Sequence, residues 1–373
     1  MPPLPPLSPS PVVLRFTLSA LICAIMVTLS APARGGGAAR RPTVVMAAPL
    51  GQEVVAQDGA EIVIWNAQGE QLARFAGHTP FRGSLAAGKL AGVFDEGLGV
   101  RFGKAYAKLL LLDDPPALVT LRRVFLSANG QLVAALHRNK GLAGHADTVS
   151  FWNANTGRKK GMTHVMSGRR LLEVALAKKG RLAVVCGDRE RREVFCRSLR
   201  IRKKVRQVSS WRSAAHRTVY SLDVGPSSTR VAVSVTGEIL VFSLPQLKLL
   251  TRKPVSALSA LFPPQLRRLL EPFPSAHVLR FSPGGDQLFT FHGTKVVGVG
   301  RWALLSGRRS GLTAKAWLPR PRGLHGAIKE LLWGPKGAIL LFAGAGGVAL
   351  QRYEGNERVF HETLRFVPRP NSR

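Results

Sequence analysis

Few side chains in this 373-residue chain suit acid, base or nucleophilic chemistry: 21 Asp and Glu stand against 54 Lys and Arg. Hydrolysis and group transfer need acids, bases or metal ligands that converge on one point. No two carboxylates share a motif, and no Gly-X-Ser-X-Gly nucleophile elbow occurs. Gly344-Ala345-Gly346-Gly347 lacks the Lys-Ser/Thr of a phosphate loop and separates two short apolar runs, which predicts a tight hairpin. The three cysteines, Cys23, Cys186 and Cys196, form no CxxC pair and no Cys/His zinc spacing. Cys186 and Cys196 read as two small buried residues in neighbouring strands, at a spacing that also lets them face each other across one hairpin. The sequence therefore predicts no catalytic residue, metal, cofactor or small-molecule substrate.

The chemistry that is abundant is cationic. The formal net charge is +33, which raises affinity for any polyanion, whether RNA, a ribonucleoprotein or an anionic membrane surface. The densest tract runs from Arg189 to Arg206, with Arg169-Arg170 and Lys178-Lys179 in the same sector; singled out within it are Arg189, Arg191, Arg192, Arg200, Arg202, Lys203 and Lys204, with Arg158, Lys159 and Lys160 upstream. These residues are the candidate polyanion-binding set. The competing reading is edge protection, in which Lys and Arg on an outer strand block edge-to-edge association; residues 200–206 would form such a strand. Two long connections are candidate partner-binding loops. Thr251 to Ser275 is Pro-rich and carries Leu266, Leu269 and Leu270 on a short amphipathic helix, and Thr313 to Leu324 carries Trp317 and Arg320.

Residues 1–43 form a leader. No acidic residue precedes Glu53, and Phe16 to Ala33 carries no charge. As a helix that stretch spans about 27 Å, just short of the roughly 30 Å hydrocarbon core. Ala31-Pro32-Ala33 is similar to a signal-peptidase site, so a secretory signal or a membrane anchor is expected, and a plastid or mitochondrial presequence is the alternative. Residues 367–373 read as a basic tail.

The elements between follow one repeated pattern: an apolar run, a tight turn, a second run, then a third. The turn recurs at Ser127–Ala135, Ala177–Val185, Gly225–Val233, Phe281–Phe289 and Trp333–Leu341, with Pro and Gly where two strands must reverse. The third run recurs at Ile62–Asn66, Gly97–Phe102, Val149–Asn153, Glu193–Arg197, Ile239–Ser243, Val296–Gly300 and Val348–Arg352. These runs are too short for core helices and rich in Val, Leu and Phe. Seven units share the remaining chain at about 47 residues each, near the roughly 40–45 of a WD40 blade.

Trp65-Asn66 and Trp152-Asn153 resemble the Trp-Asp that closes the third strand of a WD40 repeat, and Gly77-His78 resembles its Gly-His. His277-Val278-Leu279-Arg280-Phe281-Ser282-Pro283-Gly284-Gly285 is the clearest further copy, with His164, His216 and His325 in the corresponding place. The chain thus resembles the degenerate WD40/YVTN-like β-propeller superfamily over residues 44–366. That resemblance implies an all-β, seven-bladed propeller in which Trp65, His78, Trp152 and His277 are structural. It also implies closure by strands from both chain ends, with residues 44–57 and Glu357 to Phe366 as the pair. The expected function is a non-catalytic scaffold for protein–protein contacts, with RNA or ribonucleoprotein binding through the basic sector as the alternative. An enzymatic propeller would instead gather His and Asp from different blades at one mouth of the ring.

Overall fold

Six of the seven third runs, and Val296–Gly300 from Val297 onward, lie within β-strands of the computed structural model. It describes residues 44–365 apart from 48–52, 59, 67–69, 140–145, 166–172, 190–192, 215–216, 265–266, 268–274, 294–296, 306–310, 320–326, 335–336, 345–346 and 355–356, and beyond Lys315 only the backbone course. The leader and the basic tail lie outside the described residues.

Each sheet is built from four consecutive strands. The first holds β1 (Val44–Ala47), β2 (Glu53–Asp58), β3 (Glu61–Asn66) and β4 (Gln71–Ala76). The second holds β5 (Gly83–Ala86), β6 (Lys89–Phe94), β7 (Gly97–Phe102) and β8 (Lys108–Leu111). The third holds β9 (Leu121–Leu126), β10 (Leu132–Asn139), β11 (Ala146–Asn153) and β12 (Lys159–Val165). The fourth holds β13 (Glu173–Leu176), β14 (Leu182–Arg189), β15 (Glu193–Ile201) and β16 (Val205–Ala214). The fifth holds β17 (Val219–Val224), β18 (Arg230–Val235), β19 (Glu238–Ser243) and β20 (Lys248–Pro254). The sixth holds β21 (Ala276–Phe281), β22 (Gln287–Gly293), β23 (Val297–Leu305) and β24 (Gly311–Pro319). The seventh holds β25 (Ala327–Gly334), β26 (Gly337–Gly344), β27 (Gly347–Glu354) and β28 (Glu357–Arg365).

All seven sheets are antiparallel meanders in chain order. Their first strands touch in the cycle β1, β5, β9, β13, β17, β21, β25 and back to β1, so the sheets close a ring with those strands innermost. The fold is a seven-bladed β-propeller. Closure differs from the expectation: no blade exchanges a strand between the chain ends, and β1 pairs with β2 while β28 pairs with β27. The first and seventh blades meet instead by packing of β1 on β25 and β26.

Ring geometry explains the apolar runs. A middle strand is covered on both faces by neighbouring blades, so its hydrophobic positions are continuous and not alternating: Ile62–Trp65 of β3 and Val231–Val235 of β18 are all buried. Outer β20 has no buried position. Cores lie between blades. Trp152, fully buried, packs with Val93, Val100, Leu121 and Val133 between the second and third, and Trp302 with Val241, Leu258 and Leu279 between the fifth and sixth. The 3-10 turn Val255–Leu261, which the sequence did not suggest, contributes Val255 and Leu258 to the latter cluster.

The first-to-second turn repeats in detail. Gly130, Gly180, Ser228 and Gly285 sit at φ 64, 63, 60 and 75°. Their amides donate to the carbonyls of Ser127, Ala177, Gly225 and Ser282 at 2.7–2.9 Å. Left-handed backbone is free for glycine and costs a Cβ-bearing residue, which is why three of the four are Gly. A second repeat was not apparent from sequence. The third and fourth strands slip by one residue beside Trp65, Trp152, Leu199, Phe242, Trp302 and Tyr353. Such a β-bulge re-aims a side chain and increases local twist, and it falls at the one position where the blades prefer an aromatic. Trp302 lies two residues past the run read as the sixth third strand.

Cys186 and Cys196 are direct cross-strand partners in β14 and β15, fully buried, and their sulfurs are bonded. The expected pair of separate buried thiols is therefore corrected to a disulfide inside the fourth blade.

Candidate polyanion-binding surface

A four-stranded meander places its first-to-second and third-to-fourth turns at the same end of the sheet. In the fourth blade these are the β13–β14 turn, with Lys178, Lys179 and Arg181, and the β15–β16 hairpin tip, with Arg202, Lys203 and Lys204. Hydrogen bonds fasten them together: the Ile201 amide donates to the Arg181 carbonyl at 2.8 Å. The third blade joins the same corner, because Lys160 Nζ donates to the Arg202 carbonyl at 3.3 Å and the Asn129 amide to the Lys178 carbonyl at 3.3 Å. A Cβ on Gly161 would meet Val205 Cγ2 at 3.2 Å, so the two outer strands approach closely here.

Arg200 and Arg206 are direct cross-strand partners flanking the tip. Like charges so opposed weaken a ladder. Lys178, Lys179, Arg181, Arg200, Arg202, Lys203, Lys204 and Arg206 are all exposed. Among the described residues, none of the eight forms an ion pair with a carboxylate. Below them, Arg197 Nη1 donates to the His164 carbonyl at 3.3 Å. Burial and the nearby Arg212 guanidinium hold Arg197 below the ordinary arginine range.

The predicted basic set divides. Arg200, Arg202, Lys203, Lys204, Lys160 and exposed Arg158 lie at the turn ends of the third and fourth blades just described. Residues 200–206 are a hairpin tip and not an outer strand, because β15 runs through Ile201 before reversing. Lys159 is already paired: its Nζ lies 2.5 Å from Asp114 Oδ2, and that contact holds the Asp114 carboxyl below its usual range. Arg189 ends β14 at the opposite end of the sheet, and Arg191 and Arg192 lie outside the described residues. Lys178, Lys179 and Arg206 belong to the basic sector read from sequence without being singled out as candidates, and Arg181 is absent from it although it stands on the predicted β13–β14 turn.

Trp317 falls in β24, opposite Gly300, and not in a loop. Leu266, Leu269, Leu270 and Arg320 lie outside the described residues. Trp65 is 4% exposed, and Trp152 Nε1 donates to the Asp113 carbonyl at 2.7 Å. The His78 side chain is exposed. Buried Gln57 does the fastening there, donating to the His78 carbonyl at 3.1 Å and accepting from the Phe81 amide at 2.6 Å. His164 lies within outer strand β12, not before a first strand, and His216 and His325 lie outside the described residues. His277 stacks edge-on to Tyr220 at 5.1 Å, and burial holds it below the usual histidine range. Also on the inner strands, Arg123 Nη1 binds Glu173 Oε1 at 2.6 Å; burial raises Glu173, opposed by Arg123 and Arg280. Among the described residues no three His, Cys, Asp or Glu gather as metal ligands, and no helix is long and apolar enough to cross a membrane.

Solved structures share the architecture. Hsv2 of Kluyvelomyces marxianus superposes with a TM-score of 0.56 at 10% identity, over 88% of this chain and all of that one (100%). Hsv2p of Kluyveromyces lactis gives 0.55 at 12% identity, over 86% and 97%. KlHsv2 with loop 6CD replaced by a Gly-Ser linker gives 0.53 at 13% identity, over 87% and 97%. The fold shared with them is the β-propeller. No protein-family model and no curated protein matches the sequence. At such low identity the likeness concerns the propeller fold alone, and this propeller's basic corner has to be interpreted from its own residues.

Proposed function

We propose that this propeller is a non-catalytic scaffold that docks an anionic macromolecular partner on the basic corner of its third and fourth blades. The observation that carries the reading is the row of eight exposed cations, fastened by backbone hydrogen bonds and facing no described carboxylate. Edge protection accounts for charge along β16, but it gives no reason for Arg200 on the third strand, or for Lys178, Lys179 and Arg181 on a first-to-second turn. The hydrophobic stretch Phe16–Ala33 and the Cys186–Cys196 bond support an oxidising compartment entered through the secretory pathway. The acid-free leader equally supports plastid or mitochondrial import.

Net charge alone would give some polyanion binding, so the test compares two equal charge changes. Lys203→Glu/Lys204→Glu is set against Lys104→Glu/Lys108→Glu on exposed positions of the second blade. On immobilised heparin, duplex RNA and polyglutamate, the first pair should weaken whatever binding exists by about 100-fold, and the second by less than about threefold. Equal losses from both pairs would show that the corner is not a site.

A further inference from the structure

Three features of the basic corner bear on which polyanion it takes. First, its exposed side chains are cations without carboxylates among them, which suits a uniformly anionic polymer better than the mixed charge of a protein surface. Second, it lacks apolar and aromatic anchors: Ile201 is buried and Val205 half-buried, and no aromatic residue stands among residues 177–181 or 200–206. Base stacking on exposed rings and insertion into lipid both need such groups. Met162 and Val208, 45% and 38% exposed on the adjacent outer strands, are single side chains and make a poor anchor. Third, the same blade is closed internally by the Cys186–Cys196 disulfide, a bond that persists where the cytosolic and nuclear pools of nucleic acid are absent.

Together with the reading just given, on which this inference rests, these features lead us to infer that the corner binds a sulfated polysaccharide. Guanidinium is planar, weakly hydrated and forked, so it pairs with the oxygens of a tetrahedral anion in bidentate fashion. Arg200, Arg202 and Arg206 surround the hairpin tip, with Arg181 tied to it through Ile201. Lys178, Lys179, Lys203 and Lys204 supply the less directional charge between them. Such binding follows the repeating charge of the chain and does not require a closed pocket.

Binding of the full chain is measured to dextran sulfate, duplex RNA, polyglutamate and anionic phospholipid vesicles, at equal charge concentration and about 0.15 M salt. The expected order puts dextran sulfate first, about tenfold tighter than duplex RNA. The charge-preserving variant Arg200→Lys/Arg202→Lys/Arg206→Lys should bind dextran sulfate about fivefold more weakly, with unchanged unfolding temperature, because the forks are lost while the charge stays. Tighter or equal binding to RNA or to vesicles overturns the sulfated ligand and leaves the basic corner standing as a docking site. Indifference of the Arg→Lys variant also overturns it, since charge density would then suffice. Failure on all four probes removes the docking site itself. Protein taken from its own cells under acid quench should show Cys186 and Cys196 bonded; free thiols there would overturn the inference by removing its third support.

Discussion

The fourth and fifth blades have the same four strands and turns, yet they treat their cations in opposite ways. In the fifth, Glu238 gathers two arginines: Arg217 through both guanidinium nitrogens, one contact at 3.1 Å, and Arg252 Nε at 3.0 Å. Arg217 is half-buried and Arg252 46% exposed, both beside Trp211, Val235 and Leu240 of the interface with the fourth blade. In the fourth blade Glu193 takes only Arg212, 63% exposed, at 3.5 Å, while the tip cations face solvent. In the fifth blade the half-buried cation is met by a carboxylate, and at the fourth blade's corner, among the described residues, the exposed cations meet none.

The largest expected effect breaks the comparison inside the two sheets. The register that holds Cys186 and Cys196 in the fourth blade holds Ser234 and Ile239 in the fifth, where Ser234 Oγ instead donates to the Ala276 carbonyl at 2.5 Å. A disulfide closing a loop of about ten residues restricts the unfolded chain by about 3 kcal/mol. Cys186→Ala/Cys196→Ala should lower urea-unfolding stability by that amount, and reductant should lower the unchanged protein similarly while leaving the variant where it is. An unchanged midpoint in both would mean that the bond contributes nothing and that the fourth blade is held by its packing alone.

The next effect concerns the paired cations. Glu238→Gln keeps the shape and removes the charge that holds half-buried Arg217 and the more exposed Arg252. Hydrogen bonds to charged groups contribute about 2 kcal/mol, and a loss near that size is expected in thermal or urea unfolding. Glu193→Gln, whose partner is largely solvated, should cost under about 0.5 kcal/mol. Similar losses at both positions would erase the contrast between the blades.

The sequence made the ring legible because each blade repeats a chemical demand: two-sided burial makes third strands read as unbroken apolar runs, and reversal demands Gly or Pro at the first turn. The seven third strands, Val296 apart, and the four first turns that are fully described fall where those demands predict. What escaped was register. The one-residue slip beside Trp302 follows from pairing between strands and moves the aromatic past the run that marks the strand. His78 presents its backbone carbonyl to Gln57, 21 residues away, and Lys159 is claimed by Asp114 across 45. The basic site was half visible. Arg200 to Lys204 stand out as a charge run, but whether Arg189 joins them depends on which end of the sheet each turn occupies, and that separates them. Lys178 and Lys179 already belong to the basic sector read from sequence, but that their turn meets the hairpin tip follows from strand pairing, as in the Ile201-to-Arg181 hydrogen bond.

The smallest expected effect bears most directly on why the corner is basic. Arg200 and Arg206 oppose each other across the ladder with no described carboxylate between them. Arg206→Gln removes one charge of a like pair, so it should raise stability by a few tenths of a kcal/mol at low ionic strength. Salt should abolish that gain, since the Debye length shrinks to roughly 3 Å at 1 M. The same change should weaken polyanion binding. A residue retained for folding would show the reverse sign, because truncating its aliphatic stem would uncover the strand beneath. Stability and binding that move in opposite directions under one substitution would mean that the fold tolerates Arg206 and that the docking site requires it.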